Sequence, residues 1–156
     1  MKNIKTIEVL NTLTNINKDR IEVYKTASNE TEEQDLKTLF VQFSSTSQKC
    51  KQELKTEVTK LGGPRAEHTT ISGNFFRMWM DVKAELTGKD RYSILNSCEY
   101  VEEMTKDTYE EALENDLEYL NVEQQTMIKK QQTLLVTDFH KVKSMGDALL
   151  NLKLNL

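Results

Sequence analysis

The sequence contains few of the residues that interrupt helices. Its 156 residues include five glycines and one proline. Four of the glycines and Pro64 fall between residues 62 and 88, so residues 1–61 and 89–145 contain no helix-breaking residue. We expect long helices on both sides of this region, since a β-sheet protein of this length would need more turns.

Cysteines, apolar runs and basic clusters are also scarce. Cys50 and Cys98 are too few for a disulfide framework and suit a reducing cytoplasm. No apolar run approaches the roughly 18 residues of a membrane-spanning helix, and the first ten residues lack a secretory signal. The 21 Lys and Arg residues are scattered among 25 acidic ones, without the basic stripe of nucleic-acid-binding proteins. We therefore predict a cytoplasmic protein that binds neither membranes nor nucleic acids.

Apolar residues recur at helical spacing in four segments. The pattern predicts helices at about 4–28, 31–61, 90–116 and 121–146, in which every third or fourth residue faces the core. Thr31 to Gln34 and Asn121 to Gln124 match the capping-box pattern that starts a helix. In the second helix the predicted core residues are Leu36, Phe40, Phe43, Ser47, Cys50, Leu54, Val58 and Leu61, and in the third they are Leu95, Cys98, Glu102, Thr105, Tyr109 and Ala112.

The lengths of the connections predict how these helices are arranged. The first and last connections are short, so each must join an antiparallel pair of helices. The middle connection, from Gly62 to Lys89, contains a short amphipathic helix and is long enough to cross the height of a bundle. We therefore predict an all-α, ferritin-like four-helix bundle at residues 1–146, built from two helical hairpins and a long crossover. Residues 147–156 form an apolar C-terminal tail whose alternating leucines predict an extended conformation.

Several motifs resemble a bacterial, ferritin-like four-helix-bundle family of unknown function. They are Asp19–Tyr24, Leu61-Gly62-Gly63, Trp79–Gly88, Cys98-Glu99 with Glu102, Tyr109–Leu113, and Gln132 with His140. The Trp-Met-Asp-x-Lys-x-x-Leu-Thr-Gly pattern at residues 79–88 is the most specific of these motifs, because a generic bundle does not require it. The family tends to have glycine at the positions of Arg20 and Val23. The resemblance implies a bacterial, cytoplasmic bundle without an established reaction.

A carboxylate-bridged metal centre is the sharpest hypothesis for a site in such a bundle. A complete ferritin-type site needs Glu-x-x-His motifs, and the sequence contains none. A reduced iron or manganese site would use Glu22, Glu99, Glu102 and His140, with His140 at a flank of its helix or in water. Alternatively, Glu102 binds Gln131, Gln132, Asn17 or Tyr24 and fixes the helix register. We expect no resident cofactor, and the metal site is the alternative.

Two apolar segments predict contacts with other proteins. Phe76 and Trp79 belong to the crossover helix, and Leu152 and Leu154 belong to the C-terminal tail. We therefore predict a non-catalytic protein that forms a homo-oligomer, in the simplest case a dimer, or binds a protein partner. A carrier of apolar ligands, with a cavity near Ser47, is a third hypothesis.

Overall fold

The computed structural model describes residues 2–64 and 90–154, which form four long α-helices. These are α1 (Lys2–Glu30), α2 (Gln34–Lys60), α3 (Arg91–Asn115) and α4 (Val122–Leu154), with a 3₁₀ turn at Leu117–Tyr119. The described residues contain no strand, and the predicted all-α class is confirmed. No helix within these two ranges is long and apolar enough to cross a bilayer.

Each helix packs against two others, and neighbouring helices are antiparallel. α1 contacts α2 and α3, and α4 also contacts α2 and α3. Arg20, in the second half of α1, bonds to Ser47 at the middle of α2, and Asn11, nearer the start of α1, bonds to Pro64 just after the end of α2. These two contacts show that α1 and α2 are antiparallel. Asn17 bonds to Tyr109 and Arg20 bonds to Glu102, so α3 is also antiparallel to α1. α2 and α3 therefore run in the same direction.

The predicted core positions of α2 and α3 are confirmed. All six predicted residues of α3 are buried, as are those of α2 except Leu61, which is partly exposed. Buried residues of all four helices form one apolar cluster around Tyr24, Phe40 and Phe43. Tyr24 stacks on Phe40 with ring centroids 5.4 Å apart, so aromatic contacts hold α1 to α2 at this level.

One of the two predicted capping boxes forms. The Gln124 N–H donates to Asn121 Oδ1 at 2.8 Å, and the Asn121 N–H donates to Gln124 Oε1 at 2.9 Å. The box at Thr31 is wrong, because α1 continues to Glu30 and the Thr31 N–H bonds to the Ala27 carbonyl. Consequently α2 starts three residues later than predicted.

The prediction of an extended C-terminal tail from residue 147 is also wrong. α4 continues through Leu154, and Leu149 packs against the core cluster. This contact extends the helical face of Val142 and Met145 by one more turn. The helical spacing of inward residues therefore outweighs the period-two pattern of the terminal leucines.

Candidate functional site

A buried arginine lies at the middle of the four helices. The Arg20 side chain is fully buried, although arginine is rarely found inside proteins unless it is paired. The register of α1 places it there, because Arg20 follows buried Asn17 by three residues and precedes buried Tyr24 by four. An inward guanidinium must find acceptors on the other helices.

All five N–H groups of this guanidinium have acceptors. Nε donates to Glu102 Oε2 at 2.8 Å, and Nη2 donates to Glu102 Oε1 at 2.5 Å and to Asp138 Oδ2 at 2.9 Å. Nη1 donates to the Phe43 carbonyl at 2.8 Å and to Ser47 Oγ at 2.9 Å. We call Arg20, Phe43, Ser47, Glu102 and Asp138 the arginine centre. It joins all four helices and saturates the donor capacity of the arginine.

Aromatic rings enclose the arginine centre. The Arg20 Cζ atom lies 5.2 Å from the centroid of the Tyr24 ring and 5.0 Å from that of Phe43. Both distances suit cation–π attraction. The rings also exclude water, and the resulting low local dielectric strengthens the ion pair with Glu102.

Burial and ion pairing shift the pKa values of the charged groups in the arginine centre. Burial lowers the pKa of Arg20, but the charge and hydrogen bonds of Glu102, with smaller contributions from Tyr24 and Asp138, raise it more, so the pKa lies above its ordinary value. Burial raises the pKa of Glu102 and of Asp138, and Arg20 opposes both shifts. The bidentate contact is the geometry of an ionised carboxylate with a guanidinium, so we assign Glu102 as charged.

A second polar cluster lies about one helical turn away. Asn17 Nδ2 donates to the Tyr109 hydroxyl at 2.8 Å, and that hydroxyl donates to Gln131 Oε1 at 2.7 Å. Gln131 Nε2 then donates to Glu53 Oε1 at 3.0 Å and to the Cys50 carbonyl at 3.3 Å. This chain of hydrogen bonds also crosses all four helices, so two polar levels fix their relative heights.

Asp19 is a separate buried carboxyl on α1. It is 6% exposed, and its Oδ1 atom has no hydrogen-bond partner among the described residues. Burial raises its pKa to about 6, which the neighbouring Lys18 partly opposes. An ionised Asp19 therefore costs free energy in the folded protein.

The four residues predicted to bind metal are not brought together. Glu22 and His140 are exposed, Glu99 is half-buried, and Glu102 is buried against Arg20. In residues 2–64 and 90–154, no group of three or more His, Cys, Asp or Glu side chains is placed to hold a metal ion. A cation at Glu102 would also lie beside the positive guanidinium, which repels it. His140 is exposed, which agrees with its predicted position at a flank of its helix or in water.

The alternative role predicted for Glu102 is correct in kind, but its main partner was not predicted. Glu102 fixes the register of α3 mainly through Arg20, and of the four predicted partners Tyr24 lies close enough for its hydroxyl to act on the Glu102 carboxyl. The space beside Ser47, which was the predicted cavity, is taken by the Arg20 side chain.

Sequence reasoning missed Arg20 and Asp138. The spacing of Arg20 from Asn17 and Tyr24 was a usable signal, but residue type argued against burial. Asp138 lies at the edge of the inward face of α4 and is reached only because the arginine side chain is long.

The residues predicted to bind partners fall into two groups. Phe76 and Trp79 lie outside the described residues. Leu152 and Leu154 lie in the last turn of α4 and are 65% and 75% exposed, and Leu150 beside them is 39% exposed. We call these three residues the leucine end.

Together, the fold and the arginine centre define an all-helical protein whose core is held by an internal ion pair. The chain belongs to the family described as Domain of unknown function (DUF2383), whose family model matches residues 5–115. The match contains most of α1 and all of α2 and α3, with Arg20, Ser47 and Glu102, and it ends before α4. No curated protein matches the chain.

Replacing Arg20 with methionine should lower the free energy of unfolding by about 3–5 kcal/mol, because it leaves two carboxylates uncompensated. Urea denaturation at pH 7 measures the loss. The double variant Arg20→Met/Glu102→Met should recover most of it, since the buried charge disappears together with its partner. A loss of less than about 1 kcal/mol in the single variant would contradict a stabilising role for the ion pair.

Asp19 predicts an unusual dependence of stability on pH. Its folded pKa of about 6 lies above its ordinary value of 3.8, so the folded state binds the proton more tightly. The stability contributed by this group is complete below about pH 4 and is lost as the pH rises through about 6.

The variant Asp19→Asn should therefore match the wild type near pH 4 and exceed its stability at pH 7 by about 1–3 kcal/mol. Denaturation midpoints measured from pH 4 to 8 test this, with Glu22→Gln as an exposed control on the same helix. Equal pH profiles for wild type and Asp19→Asn would show that Asp19 is not protonated in the folded state.

Proposed function

We propose that this protein is a non-catalytic, ferritin-like four-helix bundle that acts by self-association in a bacterial cytoplasm. The leucine end of α4 is the observation that carries this proposal. All three leucines are exposed, Leu152 and Leu154 over most of their surface. Adjacent exposed leucines are typical of surfaces that bind protein.

The helix directions support a crossover between the two hairpins. The end of α2 lies beside the start of α1, where Asn11 bonds to the Pro64 carbonyl at 3.1 Å. The start of α3 lies beside the start of α2, where Arg91 Nη2 bonds to Asp35 Oδ2 at 2.6 Å. Residues 64 and 90 are therefore at opposite ends of α2, whose 27 residues span about 40 Å. The connection between these two residues must therefore cover the length of α2, and a crossover along the bundle does so.

The arginine centre supports the absence of catalysis at the core. Both oxygens of Glu102 accept hydrogen bonds from Arg20, and the centre supplies its own positive charge. A carboxylate site built for iron or manganese would instead direct several unpaired carboxylates at one point. The metal-binding alternative has no such cluster within the described residues to support it.

The two thiols support a reducing environment. Cys50 and Cys98 are buried and free, and burial raises the pKa of Cys50 to about 11. A buried thiol with a raised pKa is unreactive and packs as a small apolar side chain. This use of cysteine is typical of cytoplasmic proteins.

Metal analysis tests the non-catalytic proposal. Protein purified without chelator and incubated anaerobically with Fe²⁺ or Mn²⁺ should retain no ion above the level of a Glu102→Ala control. We expect this because the guanidinium occupies the position where a cation would approach Glu102. One or two ions per chain in the wild type, lost in Glu102→Ala, would favour the metal-binding alternative.

Sedimentation equilibrium tests self-association. The wild type should be dimeric at micromolar concentration, and Leu152→Ser/Leu154→Ser should weaken the dimer at least about tenfold by removing apolar contact area. The matched control is Ile4→Ser/Val41→Ser, which changes two apolar residues of similar exposure on α1 and α2. A wild type that stays monomeric at all concentrations would contradict self-association.

A further inference from the structure

Asp19 has a polar neighbour one helical turn earlier on α1. Asn15 precedes it by four residues, and side chains at this spacing lie on the same side of a helix with their Cβ atoms about 5–6 Å apart. At that separation a single hydrogen bond can join two short polar side chains. The spacing therefore makes Asn15 a natural partner for the Asp19 carboxyl.

Both side chains have a buried oxygen without a donor. Asn15 Oδ1 and Asp19 Oδ1 are shielded from water, and neither accepts a hydrogen bond from the described residues. Asn15 as a whole is partly exposed, so its amide oxygen is the part that points inward. Two neighbouring acceptors without a donor are unfavourable, because each has lost its hydrogen bonds to water.

The side of α1 that carries this pair is closed to solvent. Asp19 is 6% exposed, Ile16 three residues before it is 8% exposed, and Val23 four residues after it is 2% exposed. A carboxylate held among such apolar neighbours does not recover the hydration that it loses on folding. A proton on the carboxyl would remove this charge and supply the missing donor at once.

Few charges act on Asp19 from its own helix and from α2. Burial raises the pKa of Asp19, and the described charge that opposes this shift is the neighbouring Lys18. On α2, Lys51 and Lys55 act on Lys18. Glu22, three residues after Asp19, is exposed. The described parts of α1 and α2 therefore do little to keep Asp19 ionised.

The described part of α3 brings no compensating charge either. Asp19 is next to Arg20, whose donors are all taken by the arginine centre. At this height on α3, Glu103 and Asp107 are exposed, and Lys106 lies over an aromatic ring of α4. The environment of Asp19 therefore favours the neutral carboxyl over the carboxylate.

We propose that Asp19 is protonated in the folded protein and donates a hydrogen bond to Asn15 Oδ1. One proton then satisfies both buried oxygens and removes a buried negative charge. As the pH rises and the proton leaves, a carboxylate is left beside an amide oxygen, and the two acceptors repel each other. The pair makes the buried side of α1 sensitive to pH. This inference names the acceptor of the Asp19 proton and does not depend on self-association.

The orientation of the Asn15 amide decides the sign of its effect on Asp19. With Oδ1 inward, Asn15 stabilises the protonated carboxyl and repels the carboxylate, so it raises the pKa of Asp19. An amide turned by 180° would instead donate from Nδ2 to the carboxylate and would lower that pKa. The two arrangements predict shifts of opposite sign when Asn15 is replaced.

Carbon-13 NMR of carboxyl-labelled aspartate tests the pair directly. The Asp19 signal, assigned by its loss in Asp19→Asn, should titrate in the wild type with a midpoint near 6. In Asn15→Leu, which removes the acceptor without admitting water, the midpoint should fall by about one pH unit. The matched control Asn29→Leu changes an exposed asparagine of the same helix and should leave the midpoint in place.

Each other result of this titration would overturn the proposal. A wild-type midpoint near 4 would show that Asp19 is ionised in the folded protein at neutral pH. A wild-type midpoint near 6 that is unchanged in Asn15→Leu would assign the shift to burial alone. A midpoint that rises in Asn15→Leu would show that the amide donates to the carboxylate.

Urea denaturation provides a second test through stability. The factor by which Asn15→Leu raises the equilibrium constant for unfolding should be at least about fivefold larger at pH 5 than at pH 8, because only the protonated carboxyl donates to Asn15. In an Asp19→Asn background the factor should be the same at both pH values, since the introduced amide donates throughout this range. Equal factors at pH 5 and pH 8 in the wild-type background would contradict the pairing.

Discussion

The buried charge of Arg20 is the constraint on which the centre of this structure depends. A guanidinium inside a protein must satisfy five donors and balance one positive charge, and no single neighbouring helix offers enough acceptors. Glu102 of α3 balances the charge, Asp138 of α4 adds a second acceptor, and α2 supplies the Phe43 carbonyl and the Ser47 hydroxyl. The position of one side chain therefore sets the relative heights of four helices.

Apolar contacts and buried hydrogen bonds have different roles in this structure. Apolar contacts around Tyr24 and Phe40 bring the helices together, but such contacts tolerate sliding by a turn because they have no direction. Hydrogen bonds between specific side chains do not tolerate such a shift. A shift of one turn between α1 and α3 would separate Arg20 from Glu102 and Asn17 from Tyr109 at once. The buried polar groups thus select one register among several that the apolar core would accept, as polar residues do in coiled coils.

The sequence was most informative where residue type and position agree. The apolar faces of α2 and α3 and the Asn121 capping box follow from spacing alone, so they could be predicted. Arg20 could not, because its burial depends on acceptors that lie on three other helices and far away in sequence. A helical wheel describes one helix at a time, and it places Glu102 inward without showing which group neutralises it. The prediction of an extended tail at the terminal leucines was wrong for a related reason. Their alternation resembles a strand, but the core contact of Leu149 keeps them helical.

The family match includes only part of the arginine centre. The matched residues end at the last residue of α3, so Arg20 and Glu102 lie inside the match while Asp138 and Gln131 lie outside it. The ion pair of α1 and α3 is therefore contained in the matched part, and α4 adds a second carboxylate and the end of the Asn17–Tyr109 hydrogen-bond chain. All five N–H groups of the guanidinium are satisfied within one chain, whereas Asn17 Oδ1 has no hydrogen-bond partner among the described residues. On the outer surface, α4 provides the exposed leucine end.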